Sequence, residues 1–504
     1  MSLMTTLARL EAVRSGRAEP LATVRHRHLA ERPMLLVPLA AAGETAAPLA
    51  VALGRDREHP VVLTVPQPLD RDRRFAFLAE LADHLLPYVE GFGAEVEVRE
   101  REVKDPVTGE KTVESRELVV DAPQLIVPNQ GGVGLLGLLG RSTWFRRTAD
   151  DPDPGPYPAP ARVPLLGRWL THFHDRALVP GSSLLLTMTG LLSRHWATGQ
   201  SNLEDQHLGA LLGWLARGPG ERGDRAALRA ETARDAQGQL LCPPAGPATD
   251  PAFDTKLLGP AITRYDAARE LGDASAVKAR EQEIHELLSG ILLPVWRQLW
   301  QGLDLLRTLP EAAHVAERWE GDRWSYSAHR ERLAAGEPPQ PIRDDAVTAA
   351  RRLAQREREQ TKVDLQEALD DPLAMAEHRL AGEAFAGEVV AVEPDWDDRG
   401  RTPKPRPLVT VRTPDQLHAD PGRVLHRANG PSAQTAELVE LDEARGQLTI
   451  RLLSGMGRRK DPEPGSVPEP GEQVVFTLFE LAPRQSAPLP EPEDTPWTHG
   501  GPPQ

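Results

Sequence analysis

Residues 274–307 read ASAVKAREQEIHELLSGILLPVWRQLWQGLDLLR. Val277, Ile284, Leu288, Ile291, Val295, Leu299, Leu303 and Leu306 recur at the spacing of one helical face, so the stretch is a long amphipathic helix, and Pro294 inside it predicts a kink. It separates two regions of different pattern. Before it, Pro33 to Ala40, Ala47 to Leu53 and Pro60 to Val65 read as short strands, and Asp70 to Tyr88 as a helix with Phe75, Leu78, Leu81 and Leu85 on one side. Thr5 to Arg17 is a further helix carrying Leu7, Leu10 and Val13. Ala94 to Val103 and Thr112 to Val120 flank Lys104 to Gly109, whose proline and glycine suit a β-hairpin connection.

Residues 1–130 are therefore expected to form an α/β or α+β domain with a hairpin, and 131–384 a mainly helical one. Within the second, Asp151 to Pro164 is a proline-dense loop, and Ser182 or Ser183 is a candidate N-cap for an apolar helix reaching Trp196. Asn202 to Ala216 reads as another helix. Asp345 to Asp370 is charged nearly all round and reads as a solvated or interdomain helix. From Phe385 the period changes again. Gly387 to Val392, Pro407 to Arg412, Thr435 to Leu441, Gln447 to Leu453 and Gln473 to Leu478 are five strand candidates, which predicts a small β-barrel over 385–481. Residues 482–504 are proline-rich and acidic, with too little apolar surface to order themselves. The expected fold class is α+β and multidomain: an α/β N-terminal part, a mainly helical middle and a C-terminal small β-barrel.

The chain has 504 residues, room for about three domains. Its 74 acidic and 59 basic residues leave a net charge of −15, the wrong sign for coating nucleic acid or anionic lipid, so any such contact must be local. Only seven of the cations are lysine, which in a chain rich in Ala, Gly and Pro reflects the base composition of the coding sequence. The lone Cys242 excludes an internal disulfide framework and a thiolate zinc site. With no run of 18 apolar residues and no signal-like start, the expected location is cytoplasmic, without membrane partners.

No segment carries a strong catalytic signature. Gly132-Val133-Gly134-Leu135-Leu136-Gly137 matches the dinucleotide-binding glycine pattern, but the second strand and acid that pattern needs fall on Asp150 to Pro156, which is no buried strand. A leucine-rich core helix is the expected reading. Gly140-Arg141-Ser142 lacks the lysine of a P-loop. Glu102 and Lys104 form a Glu-x-Lys fragment of a Mg²⁺-dependent nuclease site, with Asp70 or Asp83 as the missing acid. Solvent-facing strand charges are the plainer explanation. His172, His174, His195 and His207 are candidate ligands, yet a helix over Leu165 to Asp175 turns His172 away from His174. No catalytic, cofactor-binding or metal-binding residue is assigned. Eight of the ten tryptophans fall between Trp144 and Trp324 and are expected in helix packing, with Trp324 and Tyr326 as exposed exceptions.

The barrel carries the best polar candidates. Arg399, Arg401, Lys404 and Arg406 lie in one basic interstrand loop, and Arg458, Arg459 and Lys460 in a second, positions from which small barrels contact phosphates. Asp395, Asp397, Asp398, Asp461 and Glu463 adjoin them and are expected to blunt their field.

The phrases from Pro180 to Leu186 and His195 to Ser201, with Gly246 to Pro251, resemble a family of uncharacterised actinobacterial proteins with no known activity. The C-terminal strands, especially Pro470 to Phe476, resemble the small β-barrel of Upf1-like superfamily-1 helicases, although no ATP-binding motif accompanies them. That resemblance implies an accessory protein beside a separately encoded helicase or ATPase. The expected function is a non-enzymatic binding or scaffolding subunit in a nucleic-acid transaction. The alternatives are a metal-dependent hydrolase or nuclease, and a self-assembling structural protein.

Overall fold

The structure, a computed structural model, describes residues 3–42, 47–104, 111–216, 218, 220–339, 344, 346–398, 403–430, 434–457 and 461–480, with the side chains of 101–104, 111, 112 and 114 left aside. The chain divides into two compact units. One comprises 5–21 and 25–344, the other 1–4, 22–24 and 345–504.

The larger unit is built on a five-stranded sheet. After α1 (Leu3–Ser15) and the short β1 (Glu19–Pro20) come β2 (Met34–Ala40), β3 (Pro48–Gly54) and β4 (Val61–Thr64), then α2 (Arg71–Gly91), the hairpin β5 (Val96–Lys104) and β6 (Lys111–Val119), and β7 (Leu125–Val127). There follow α3 (Gln130–Thr143), α4 (Val163–Ala177), β8 (Leu185–Thr187), α5 (Met188–His195), β9 (Trp196–Ala197), α6 (Leu208–Leu215), α7 (Gly223–Thr232), α8 (Pro251–Phe253), α9 (Gly259–Glu270), α10 (Ala274–Arg307) and α11 (Val315–Ala334). The sheet order is β4-β3-β2-β7-β8, with β4, β3 and β2 antiparallel and β2, β7 and β8 parallel. β1 pairs with β9, and β5 with β6.

Alternation along the strands sends Leu36, Val51, Leu53, Leu125, Val127 and Leu185 into a core shared with α2, α3, α4 and α11. The intervening Leu35, Val37, Leu39, Leu49, Ile126 and Leu186 enter a second core with α5, α6, α9 and α10. The sheet is thus covered on both faces, which explains its near-continuous apolar strands. The expected boundary at 130/131 does not exist as a physical division: β8, from the supposed helical middle, completes the sheet, and the middle helices bury their apolar faces on it. The expected helix from Ser182 or Ser183 to Trp196 begins only at Met188, because its first apolar residues are this edge strand. Likewise the helix expected over Asn202 to Ala216 is confined to Leu208–Leu215. α10 has the predicted bounds and continues through Pro294.

The smaller unit contains α12 (Ala346–Asp370), α13 (Pro372–Leu380), β10 (Ala384–Glu393), β11 (Trp396–Asp397), β12 (Lys404–Pro405), β13 (Leu408–Arg412), β14 (Val424–Arg427), β15 (Thr435–Asp442), β16 (Gln447–Leu452) and β17 (Gln473–Thr477). The two helices therefore belong with the barrel, not with the helical middle. Six strands pair antiparallel in the closed order β10-β13-β16-β15-β14-β17, and β14 meets β17 through only His426↔Thr477 and Arg427↔Phe476. Phe385, Val389, Val409, Val411, Leu438, Ile450, Val474 and Phe476 fill the interior, with Phe385 stacked on its cross-strand partner Phe476 at 5.7 Å. The five expected strands are present, and β14 is a sixth that the pattern did not disclose. The expected tail, 482–504, lies outside the described residues. Among the described residues no helix is long and apolar enough to cross a membrane.

Candidate functional site

Of the seven candidate cations, Arg399, Arg401, Arg458, Arg459 and Lys460 lie outside the described residues, and Lys404 and Arg406 lie within them. Lys404 sits on β12, which pairs with β11 in the register Trp396↔Pro405 and Asp397↔Lys404. Residues 399–402, between these two strands, lie outside the described residues. Asp395, expected to oppose the cations, instead organises the ladder. Its carbonyl accepts the Arg406 amide at 2.6 Å, its Oδ1 accepts the Trp396 amide at 2.8 Å, and its Oδ2 accepts Arg451 Nε at 3.2 Å. Arg451 lies on barrel strand β16 and also approaches Glu437 at 3.7 Å. The Asp395 charge is thereby held by a neighbour.

Other cations of the smaller unit are committed within the described residues: Arg379 of α13 to Asp415, and the barrel's Arg412 to Glu388 and Arg427 to Glu472. Lys404 is exposed and faces solvent, while the half-buried Arg406 donates from Nη1 to the Pro405 carbonyl at 3.2 Å. Across the ladder Lys404 faces the half-buried Asp397. Trp396 is 42% exposed, directly opposite the buried Pro405. Sequence reasoning missed Trp396, since an isolated tryptophan between aspartates shows no periodicity to mark it.

The remaining candidates resolve into structural roles. Asn129 caps α3, and Gly131, Gly132, Gly137 and Gly140 serve close packing, whereas a Cβ on Gly134 would meet nothing within 4 Å. A Cβ on Gly132 would lie 3.1 Å from Val127 Cβ, one on Gly137 would overlap the His174 ring, and one on Gly140 would lie 2.8 Å from the Thr171 amide nitrogen. A Cβ on Gly131 would lie 2.5 Å from Pro247 Cδ. The motif follows a parallel strand, as the pattern requires, but Gly132 packs on that strand and Gly137 admits His174 of α4.

The histidines do not converge. His195 is fully buried, with Nδ1 at 2.7 Å from the Leu191 carbonyl and Nε2 accepting from the His26 amide at 3.3 Å. His207 caps α6, its Nδ1 accepting from the Ala210 amide at 3.1 Å. His172 stacks on His329 with ring centroids 4.2 Å apart, and Trp169 meets His329 edge-on at 4.8 Å. Burial pushes His172 well below the ordinary imidazole range, helped by His329, Arg176 and Arg332. Burial, with Arg332 and Arg168, takes His329 down to about 3. Both rings are neutral near pH 7. Among the described residues no three His, Cys, Asp or Glu side chains are grouped to hold a metal ion.

Glu102 and Lys104 lie on the β5/β6 hairpin, apart from the main sheet, with side chains outside the description. Their drafted partners are engaged elsewhere: Asp70 caps α2 and pairs with Arg269 at 2.9 Å, and Asp83 pairs with Arg162 at 3.3 Å. Cys242 accepts from Gln298 Nε2 at 2.8 Å, and burial raises its thiol pKa, opposite to what a thiolate nucleophile requires. Trp169, Trp214, Trp296, Trp300 and Trp319 are buried as expected, and Trp324 is half-buried. Tyr326 corrects the expectation of exposure: it is fully buried, stacks on Trp169 at 5.2 Å and donates to the Val89 carbonyl at 2.7 Å.

No family model, curated protein or solved structure matches the chain.

Proposed function

We propose that this protein is a non-enzymatic binding or scaffolding subunit in a cytoplasmic nucleic-acid transaction, touching phosphates through the β11/β12 loop and working beside a separately encoded helicase or ATPase. The observation that carries the reading is the role of Asp395. By bonding to Arg451, Trp396 and Arg406 it ties β11 and the chain entering β13 to the barrel and holds its own charge on Arg451, beside the exposed Lys404 and the half-buried Arg406. Local cations on a rigid support are what a net-acidic chain needs to hold a polyanion. Arg399 and Arg401 belong to the same proposed contact, and Arg458, Arg459 and Lys460 to a second loop of the same barrel. The ATPase partner rests on the barrel resemblance alone.

The test is fluorescence anisotropy of labelled single- and double-stranded DNA with the full chain over a salt series, beside recovery of the protein and its companions from cells. Salt-sensitive binding together with a co-recovered ATPase supports the proposal. Absence of both refutes it.

A second reading, self-assembly, is favoured by α1. Leu7, Leu10 and Val13 are 51%, 62% and 53% exposed, an apolar stripe along one helix. Light scattering of the purified chain separates the two: a large closed oligomer supports assembly, and a monomer or dimer contradicts it.

A further inference from the structure

We propose that the seam between α4 and α11 is a binding site for a phosphate-type oxyanion, built from Arg168 and His172 of α4 with His329 and Arg332 of α11. The two helices run antiparallel here, and three rungs cross between them. Arg176 pairs with the buried Asp322 at 2.8 Å, His172 stacks on His329, and Arg168 donates from Nη2 to the Glu337 carbonyl, just past the end of α11, at 2.5 Å. The first rung is an ion pair. The third is not, because burial and then the field of Arg332 both work against the charge on Arg168, and among the described residues no carboxylate pairs with Arg332. None of these residues belongs to the barrel.

The stacked pair supplies the floor of the site. His172 is 8% exposed and its ring lies 12° from parallel with that of His329. Nε2 of each histidine is buried without a partner among the described residues, as is Nε1 of Trp169, whose ring meets both histidines edge-on. Buried polar groups are ordinarily satisfied, so three such nitrogens beside two uncompensated guanidinium groups mark a place for a ligand. Burial and the nearby arginines keep both imidazoles neutral near pH 7, and a neutral imidazole still has one N–H to give. The acids within reach are turned elsewhere: Asp175 Oδ1 lies 3.2 Å from His174 Nδ1, and the exposed Glu337 meets Arg168 through its carbonyl. The donor set chooses the ligand class. A carboxylate brings two oxygens and one charge, whereas a phosphate brings enough oxygens for two guanidinium forks and the ring N–H groups, and a charge that offsets both arginines. Arg332 is exposed, so the site opens to solvent and admits free phosphate or a terminal phosphomonoester.

The experiment is a calorimetric titration of the full chain with inorganic phosphate at pH 7 and constant ionic strength in chloride. Arg168→Gln, Arg332→Gln and His329→Phe are compared with the parent, and Arg14→Gln, an exposed arginine on α1, controls for net charge. The expected result is saturable binding with a melting temperature that rises with occupancy. Affinity falls by roughly ten- to hundredfold in each seam arginine variant, where a hydrogen bond to a charged group is lost, less in His329→Phe, and not at all in Arg14→Gln. Because Arg332 is exposed, Arg332→Gln alters the site without disturbing the core, which a parent-like melt in chloride verifies. A 5′-phosphorylated oligothymidylate that displaces phosphate where its 5′-hydroxyl counterpart does not identifies a strand end as the source of the phosphate; displacement by neither identifies the free ion. No binding by the parent, or equal binding by the parent and Arg332→Gln, overturns the site.

Discussion

Replacing Gly134 and Gly140 separately by alanine distinguishes a packing helix from a phosphate-binding turn. Both glycines lie on α3, so the gain in helix propensity, about 1 kcal/mol, is common to the two substitutions and cancels between them. The difference that remains is steric. A Cβ at Gly134 meets nothing within 4 Å, whereas one at Gly140 would sit 2.7 Å from Thr171 Oγ1, 2.8 Å from the Thr171 nitrogen and 3.0 Å from the Gly167 carbonyl oxygen. Two of those three are backbone atoms of α4, which move only if the helix moves, and overpacking of this kind costs about 1–3 kcal/mol. Gly134→Ala is therefore expected to be more stable than the parent, and Gly140→Ala to lie about 1–3 kcal/mol below Gly134→Ala, read from urea unfolding midpoints at constant m. Equal stabilities would refute the close-packing account of the motif. In a dinucleotide site Gly134 is the position where backbone approaches pyrophosphate, so loss of a nucleotide ligand in Gly134→Ala would contradict it as well.

Three further outcomes follow from polar groups that the fold engages. Acid should loosen the α4/α11 seam: His329 titrates at about 3 in the fold and near 6.5 unfolded, so the stability it contributes is complete above pH 6.5 and is lost as pH falls toward 3, about 2 kcal/mol being gone at pH 5. His172 acts in the same direction; His329→Phe should flatten the pH dependence of unfolding between pH 7 and 5, and an unchanged slope would count against the stacked pair as its source. Asp322→Ala should cost about 3–5 kcal/mol, because the fully buried carboxylate accepts from Arg176 at 2.8 Å, Ser182 Oγ at 2.7 Å and the Ser183 amide at 2.6 Å, and a melting shift corresponding to less than about 1 kcal/mol would show the network to be dispensable. Asp395→Ala should weaken nucleic-acid binding although it removes a negative charge, since Trp396 and Arg406 lose their tie to Arg451 on the barrel; tighter binding would mean that Asp395 acts only as a competing charge.

The elements that were legible in the sequence are those whose burial repeats over many residues. The α10 face from Val277 to Leu306 and the strands β2, β3 and β4 declared themselves because each residue's neighbour at the correct period is also apolar. β8 has only three residues, and its apolar run is continuous because both faces are covered, so it is indistinguishable by period from the start of a helix. The misplaced boundary at 130/131 has the same origin: without β8 the middle helices have no visible surface to pack on. β14 escaped notice as a four-residue strand, Val424–Arg427, carrying His and Arg.

At the candidate site the charges were legible and their partners were not. Asp395 read as a competitor because linear proximity placed it near Arg399 and Arg406, whereas pairing with Arg451, 56 positions away, depends on the strand register of the barrel. Tyr326 read as exposed from its charged neighbours Arg323 and His329, yet helix geometry turns it inward against Trp169.

The central claim, that Lys404 and Arg406 contact phosphate, is tested most directly by the salt dependence of oligonucleotide binding in the full chain and in the Lys404→Gln/Arg406→Gln double variant. Each single-strand phosphate contact contributes about 0.7 to the slope of log affinity against log salt. The account predicts weaker binding and a slope shallower by about 0.7 for each contact removed; identical affinity and slope in the two proteins would contradict it.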